Sequence, residues 1–363
     1  MARIVIVGGG IVGLGTARAA RRQGHEVILL ERGALPNADG ASFDEHRMIR
    51  PHYGAALGYA RMVFEAFPVW EAVWRDLGAR HFADSGAVAV STQPGDYGDL
   101  TLATFRELGI AHEALRGAAL AARFPHLDLP EESCGIVAHP AGPLYADRIV
   151  GGLIAWCAAE GVRLLPHSPV VLLDESGEVE TASGERFRGD LVVVAAGAWL
   201  PRLQPERFGQ LPTWRQAVCY VEAPPQHRAA WESAPAIVSV GAGSGYTLPP
   251  RDGTGLKFGT GAHRRRGAPE AGFGWDIAEG AQVLAAFPFL RDADQYVPLR
   301  LKVGYYVMVE SRRFRLEQAG RCLFVTNCDG QMFKFGPLIG ERIMAAFAGE
   351  MSVPALSRWA AGA

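Results

Sequence analysis

The chain opens on an apolar run, Ile4-Val5-Ile6-Val7, which breaks at Gly8-Gly9-Gly10-Ile11-Val12-Gly13. Small and apolar residues then recur at helical spacing as far as Gly24. A second apolar run follows, Val27-Ile28-Leu29-Leu30, closed by Glu31. Continuous apolar runs rich in β-branched residues fit strands buried on both faces, and the spaced stretch fits a helix. The pattern predicts strand, glycine turn, helix and strand, a βαβ unit with two parallel strands.

The same reading extends along the chain. Residues 56–78 carry Tyr59, Met62, Val63, Phe67, Trp70, Val73, Trp74 and Leu77 at helical spacing, with Gly78 as a stop. That stripe reads as core packing. Residues 86–91 predict a short strand. Residues 147–160 predict an amphipathic helix, followed by strands at 162–165 and around Val170. Residues 190–197 form another buried strand of the parallel type, ended by glycine. Residues 218–222 and 255–259 alternate as strands of an antiparallel sheet do. A parallel-type strand returns at 322–326, then a loop at 327–335 and a helix from Gly336-Pro337, where proline suits the first turn. The fold class expected is α/β. A discontinuous Rossmann-like domain takes residues 1–80, 140–215 and 300–363, and a mixed-sheet substrate domain takes 81–139 and 216–299.

Composition narrows the function. The chain has 363 residues and a formal net charge of −2, so no polyanionic partner such as nucleic acid is implied. Arg264-Arg265-Arg266 is the one tight basic run and reads as a solvated loop. No apolar stretch is long enough to span a membrane. Arg3 before an apolar stretch admits a signal peptide, but glycines interrupt that stretch and no small-residue cleavage site follows. The five cysteines are scattered and include no Cys-x-x-Cys pair, so neither a metal site nor a disulfide framework is expected. Reduced thiols in a cytoplasmic protein, monomeric or weakly dimeric, fit this picture.

The glycine turn carries chemistry. Gly8 allows a tight turn, Gly10 lets a pyrophosphate approach the backbone, and Gly13 lets the helix pack against the strand. The helix N-terminus offers N–H groups and a positive dipole end to phosphates. Glu31 lies eighteen residues after Gly13, at the end of the second strand, where a carboxylate can bond a ribose. A dinucleotide is therefore expected, without its identity.

Four later segments narrow it. Residues 40–54, with Arg47 and Arg50 as an Arg-x-x-Arg pair, resemble the segment after the first strand pair in monomeric sarcosine oxidases, of the D-amino-acid-oxidase superfamily of FAD enzymes. Gly197-Ala198-Trp199 is similar to that superfamily's strand-end Gly-Ala-Trp. Tyr246 and Gly255-Leu256-Lys257-Phe258-Gly259 resemble its substrate-side tyrosine and lysine strand. Residues 329–335, with Phe333-Lys334-Phe335, resemble its Gly-His-Gly-Phe-Lys-Phe segment. The resemblance covers nearly the whole chain in order. It implies a glutathione-reductase-like, amino-acid-oxidase type of fold and FAD as cofactor. The implied FAD-binding residues are Gly8, Gly10, Ile11, Val12, Gly13, Glu31, Arg32, Ser42, Arg47, Val170, Gly197, Trp199, Gly330, Phe333 and Lys334.

For catalysis the resemblance implies Lys257 as a cation near the flavin's reactive nitrogen, activating oxygen, unless it is a solvated lysine on a sheet face. Arg50 and Lys334 would hold a substrate carboxylate; the alternatives are an internal ion pair for Arg50 and a surface position for Lys334. Arg47 would face the flavin. Tyr246 would close the pocket, unless it is a core tyrosine. Three departures from the family stand out. Gly304 occupies the position of its flavin-linking cysteine, so non-covalent FAD is expected, with Cys322 and Cys328 structural. Phe43 and Gly261 replace two histidines, and Met332 replaces a glycine. These changes favour a substrate other than sarcosine, with Phe43 and Met332 against it. The expected activity is oxidation of a secondary or N-alkyl amino acid, or a cyclic imino acid, with oxygen as acceptor. A dehydrogenase acting on a hydroxy acid or a secondary metabolite, and a flavin-binding module without turnover, remain as alternatives.

Overall fold

The computed structural model describes residues 1–243 and 245–363. Strand β1 (Arg3–Val7), helix α1 (Ile11–Arg22) and strand β2 (Glu26–Leu30) form the expected βαβ unit, with β1 and β2 parallel. They belong to a six-stranded sheet that runs 315–319, 322–327, 191–194, β1, β2, 163–165. Alternate residues of β1 feed opposite cores. Ile4 and Ile6 pack under the helices, while Val5 and Val7 pack with Val192, Val194, Phe208 and Phe324 on the other face. That two-sided burial is why these strands read as unbroken apolar runs.

Helix α2 (Leu57–Leu77) buries Tyr59, Met62, Val63, Trp70, Val73 and Trp74, and Gly78 ends it in the left-handed conformation at φ +67°. The helix Gly336–Phe347 crosses α1 at very short range. A Cβ at Gly340 would stand 2.5 Å from the carbonyl carbon of Gly15, so only glycine allows this approach. The turn at Gly8 has φ +112°, and a Cβ on Gly13 would lie 1.9 Å from the Gly8 carbonyl oxygen. The spacing of the fingerprint is thus imposed by backbone contact.

The second sheet has nine strands and is mixed. Next to one edge, the strand Thr213–Glu222 pairs antiparallel with both Leu256–Thr260 and Val297–Val307. The strand Val297–Val307 lies wholly in this sheet, so the boundary expected at residue 300 cuts through a strand. The β-pairing of its alternating residues, and not chain order, decides where it belongs. Arg265–Arg266 is solvent-exposed as expected but is a short strand rather than a loop: it pairs with Trp214 and Arg215, with Arg266 over the Trp214 ring at 4.5 Å. A two-stranded ribbon, Arg47–Ile49 with Gly142–Leu144, carries the Arg-x-x-Arg segment between the sheets. Among the described residues, no helix is long and apolar enough to cross a membrane.

Candidate active site

A cavity of about 880 Å³ lies between the sheets. Its wall includes Gly8, Gly10, Ile11, Val12, Glu31, Arg32, Ser42, Val170, Gly197, Trp199, Gly330 and Phe333 from the expected cofactor set. Gly13 stands behind the wall, and its role is to let α1 approach. Glu31 is held firmly: Oε2 accepts the Gly9 N–H at 2.8 Å, and Oε1 accepts the Gly33 N–H and Asn37 Nδ2, both at 2.9 Å. A carboxylate has about four lone-pair sites, so capacity remains for a ribose hydroxyl. Ser42 Oγ accepts the Ile11 N–H at 2.9 Å, and a Cβ at Gly10 would crowd that hydroxyl at 3.1 Å. Arg32 lies over the Trp199 ring at 4.7 Å. An extended dinucleotide fits this cradle in size, backbone approach and donor set.

Further along the wall stand Phe43, Asp44, Arg47, Tyr246, Met332 and Tyr306. Lys257 does not. Its side chain is 1 % exposed, which excludes a solvated lysine, but it sits one layer behind the wall. Nζ donates to Asp44 Oδ2 at 3.0 Å and to the His46 carbonyl. Asp44 also accepts from the Tyr220 hydroxyl at 2.5 Å and from Arg47 Nη1. Burial alone would push the Asp44 carboxyl up; the Lys257 and Arg47 cations outweigh it and hold it well below the carboxylate range. Burial lowers Lys257 to about 8 against the pull of Asp44. The expected cation is therefore one half of a buried ion pair, of which Asp44 and not Lys257 belongs to the cavity wall.

Arg50 and Lys334 come together as expected, on one tyrosine. The Arg50 guanidinium lies 4.3 Å from the Tyr53 ring centroid and Lys334 Nζ 5.7 Å from it. Arg50 Nη1 is buried with no hydrogen-bond partner, and Lys334 Nζ donates to the Gln331 carbonyl at 3.0 Å. Lys334 is buried, which excludes the surface alternative; burial and the Arg50 cation push its ammonium well down. No ion pair engages Arg50 among the described residues, so the internal-pair alternative also fails. One correction is needed: neither cation is on the cavity wall, and Met332 and Phe333 stand there instead.

Tyr246 is on the wall and only partly buried, and it packs flat over Gly259, where a Cβ would meet its ring at 2.4 Å. Burial pushes its hydroxyl up to about 12. Gly304 is also on the wall, and a Cβ there would meet nothing within 4 Å. Cys328 reaches the wall, but burial raises its thiol to about 11, which disfavours the nucleophilic thiolate. Cys322 is buried in the sheet. Among the described residues, no group of His, Cys, Asp and Glu is placed to hold a metal ion.

A mainly parallel sheet with this fingerprint, beside a mixed sheet that closes a cavity over it, defines a dinucleotide-dependent oxidoreductase. Residues 3–346 match the DAO family of FAD dependent oxidoreductases, and the chain belongs to it. Over 356 residues it is 23% identical to the monomeric sarcosine oxidase of Bacillus sp. (strain NS-129), covering 94% of this chain and 91% of that protein. It is 25% identical over 364 residues to the N-methyl-L-tryptophan oxidase of Escherichia coli O139:H28 (strain E24377A / ETEC), covering 95% and 94%. Among solved structures, the open form of NikD, an unusual amino acid oxidase essential for nikkomycin biosynthesis, superposes with a TM-score of 0.78 at 22% identity, covering 97% of this chain and 95% of that one. The L-proline dehydrogenase from P. horikoshii gives 0.80 at 17%, covering 97% and 94%. At these identities the structures speak for the fold alone.

Sequence reasoning missed Asp44, Tyr220, Gln216 and Tyr306. Asp44 had a local signal: an acid flanked by the Arg-x-x-Arg cations and Phe43. Tyr220 is far from it in sequence, and nothing local announces their bond.

Proposed function

We propose that this enzyme oxidises a secondary or N-alkyl amino acid, or a cyclic imino acid, to an imine, and passes the electrons to oxygen to form hydrogen peroxide. Bound FAD supplies the acceptor for a hydride equivalent from the carbon beside nitrogen. The chain supplies position and charge. Gly8 to Val12, Glu31 and Ser42 would hold the dinucleotide, non-covalently given Gly304. Arg50 and Lys334 would draw in the substrate carboxylate, the arginine in bidentate fashion and the lysine as a point charge. Tyr246, Phe43 and Met332 would exclude water around the amine, and desolvation beside these cations favours its neutral form.

The observation that carries this reading is Arg50, whose Nη1 is buried without a hydrogen-bond partner, beside the buried Lys334, since cationic groups withdrawn from water without a counterion are costly and call for an anion. The names of the sarcosine and N-methyltryptophan oxidases support an amino-acid substrate. A charge-assisted hydrogen bond contributes about 1.5–3 kcal/mol. Arg50→Ala should therefore weaken a competitive carboxylate inhibitor by roughly 10- to 150-fold, read by titration of the flavin spectrum. Unchanged inhibitor affinity in Arg50→Ala and in Lys334→Met would refute the assignment.

Asp44 favours a second reading. A carboxylate between Lys257 and the cavity offsets the charge that assists oxygen, and so supports a dehydrogenase or tailoring enzyme with another acceptor, or with a hydroxy-acid substrate. Peroxide formed per turnover separates the two.

A further inference from the structure

We propose that Arg264 is a specificity-determining residue that pairs with a second anionic group on the substrate, so that the preferred substrate is a dicarboxylic N-alkyl or cyclic amino acid. The inference rests on the amino-acid reading above and names the substrate class within it.

Arg264 follows the turn Gly261–His263 at the end of the lysine strand. Its side chain folds back on that turn. Nε donates to the Gly261 carbonyl at 3.1 Å, and Nη1 lies 3.1 Å from Met308 Sδ. A Cβ at Gly261 would stand 3.0 Å from Nη2 and 3.2 Å from Cζ. The guanidinium thus occupies the space a side chain at position 261 would take. Arg264 is not itself on the cavity wall; it stands behind Tyr306, a wall residue whose hydroxyl is within its hydrogen-bonding reach. The Tyr306 hydroxyl is already committed, donating to Gln216 Oε1 at 2.7 Å.

Three other arginines have their charge met, although the adjacent Arg265 and Arg266 form no ion pair among the described residues. Arg47 pairs with Asp44, Arg215 with Glu279 and Arg312 with Asp329. Arg264 has a carbonyl, a thioether and the neighbouring Tyr306 hydroxyl, and no carboxylate among the described residues. A guanidinium keeps its charge at any working pH and has five N–H donors, and a thioether is a weak acceptor. Its remaining donors suit a carboxylate, which a planar fork holds bidentately. The site therefore has two cationic positions with spare capacity, one at Tyr53 and one at Tyr306. A monocarboxylate fills one of them. A dicarboxylate fills both.

The test uses holoprotein and unreactive acids in matched pairs: butyrate and succinate, valerate and glutarate, hexanoate and adipate. Binding is read by calorimetry and by the visible spectrum of the bound flavin. In at least one pair the diacid should bind about tenfold or more tightly than the monoacid. Arg264→Met should remove that preference and leave monoacid affinity and flavin content unchanged, while Arg264→Lys keeps part of it. Equal binding of all pairs by the wild type, or a preference that survives Arg264→Met, would overturn the inference alone. If neither class of acid binds the wild type, or if Arg50→Ala leaves monoacid binding intact, the amino-acid reading falls and takes this inference with it.

Discussion

Replacing Lys257 by methionine should slow reoxidation of the reduced protein by oxygen, and should also remove its pH dependence. The magnitude follows from the site. Lys257 and Asp44 are 1% and 2% exposed, so solvent screens their charges poorly. Removing one preorganised electrostatic stabiliser of this kind costs about 10²–10³ in rate. Asp44 partly offsets the lysine, so the lower end, about a hundredfold, is expected. The sign of the pH effect follows from the lowered lysine. Its charged form is present below about 8 and is lost as pH rises through that value, so the wild-type reoxidation rate should fall there. Asp44 raises the lysine, and charges 3.0 Å apart interact by several kcal/mol even at an effective dielectric near 20. Because one pH unit corresponds to about 1.4 kcal/mol, Asp44→Asn should move the falling limb at least about one unit to lower pH. Stopped-flow mixing of photoreduced protein with oxygenated buffer across pH 6–10 (an order-of-magnitude window about the lysine) reads both effects. Flavin content must be checked first, since breaking a buried pair costs about 3–5 kcal/mol. Reoxidation by Lys257→Met at the wild-type rate would refute the reasoning, as would a limb that stays in place in Asp44→Asn.

Other consequences follow from packing and from the cavity wall. Gly340→Val would drive a side chain into the Gly15 backbone, where even a Cβ stands at 2.5 Å; overpacking of this kind costs about 1–3 kcal/mol, and the melting temperature should fall. Acid precipitation of wild-type protein should release all its flavin into the supernatant, because Gly304 carries no thiol and Cys328 is a poor thiolate. Flavin retained in the pellet, and freed by Cys328→Ala, would show that this thiol does link the cofactor.

Much of the nucleotide-binding half was legible because its signals are local. The strand β1, the glycine turn, α1 and Glu31 occupy one continuous stretch, and each residue's job follows from backbone geometry. The α2 stripe was legible for the same reason. The catalytic half is built from distant pieces: Lys257 and Asp44 are 213 residues apart and Tyr220 and Asp44 are 176 apart. A lysine between glycines reads the same whether it faces a flavin or a carboxylate. Arg264 looked like part of a solvated basic run because the sequence cannot show that its side chain folds back over Gly261. The strand Val297–Val307 was divided between domains because alternation identifies a strand but not its partner.

The central claim, that a carboxylate-bearing amine is oxidised here, is tested most directly by anaerobic bleaching of the flavin. The yellow protein is mixed with N-methyl amino acids, cyclic imino acids, primary amino acids and hydroxy acids while its long-wavelength absorbance is followed. The account predicts bleaching by a secondary amine that carries a carboxylate, and loss of that bleaching in Arg50→Ala and Lys334→Met. Bleaching by a hydroxy acid and by no amine, or by none of these compounds, would contradict it.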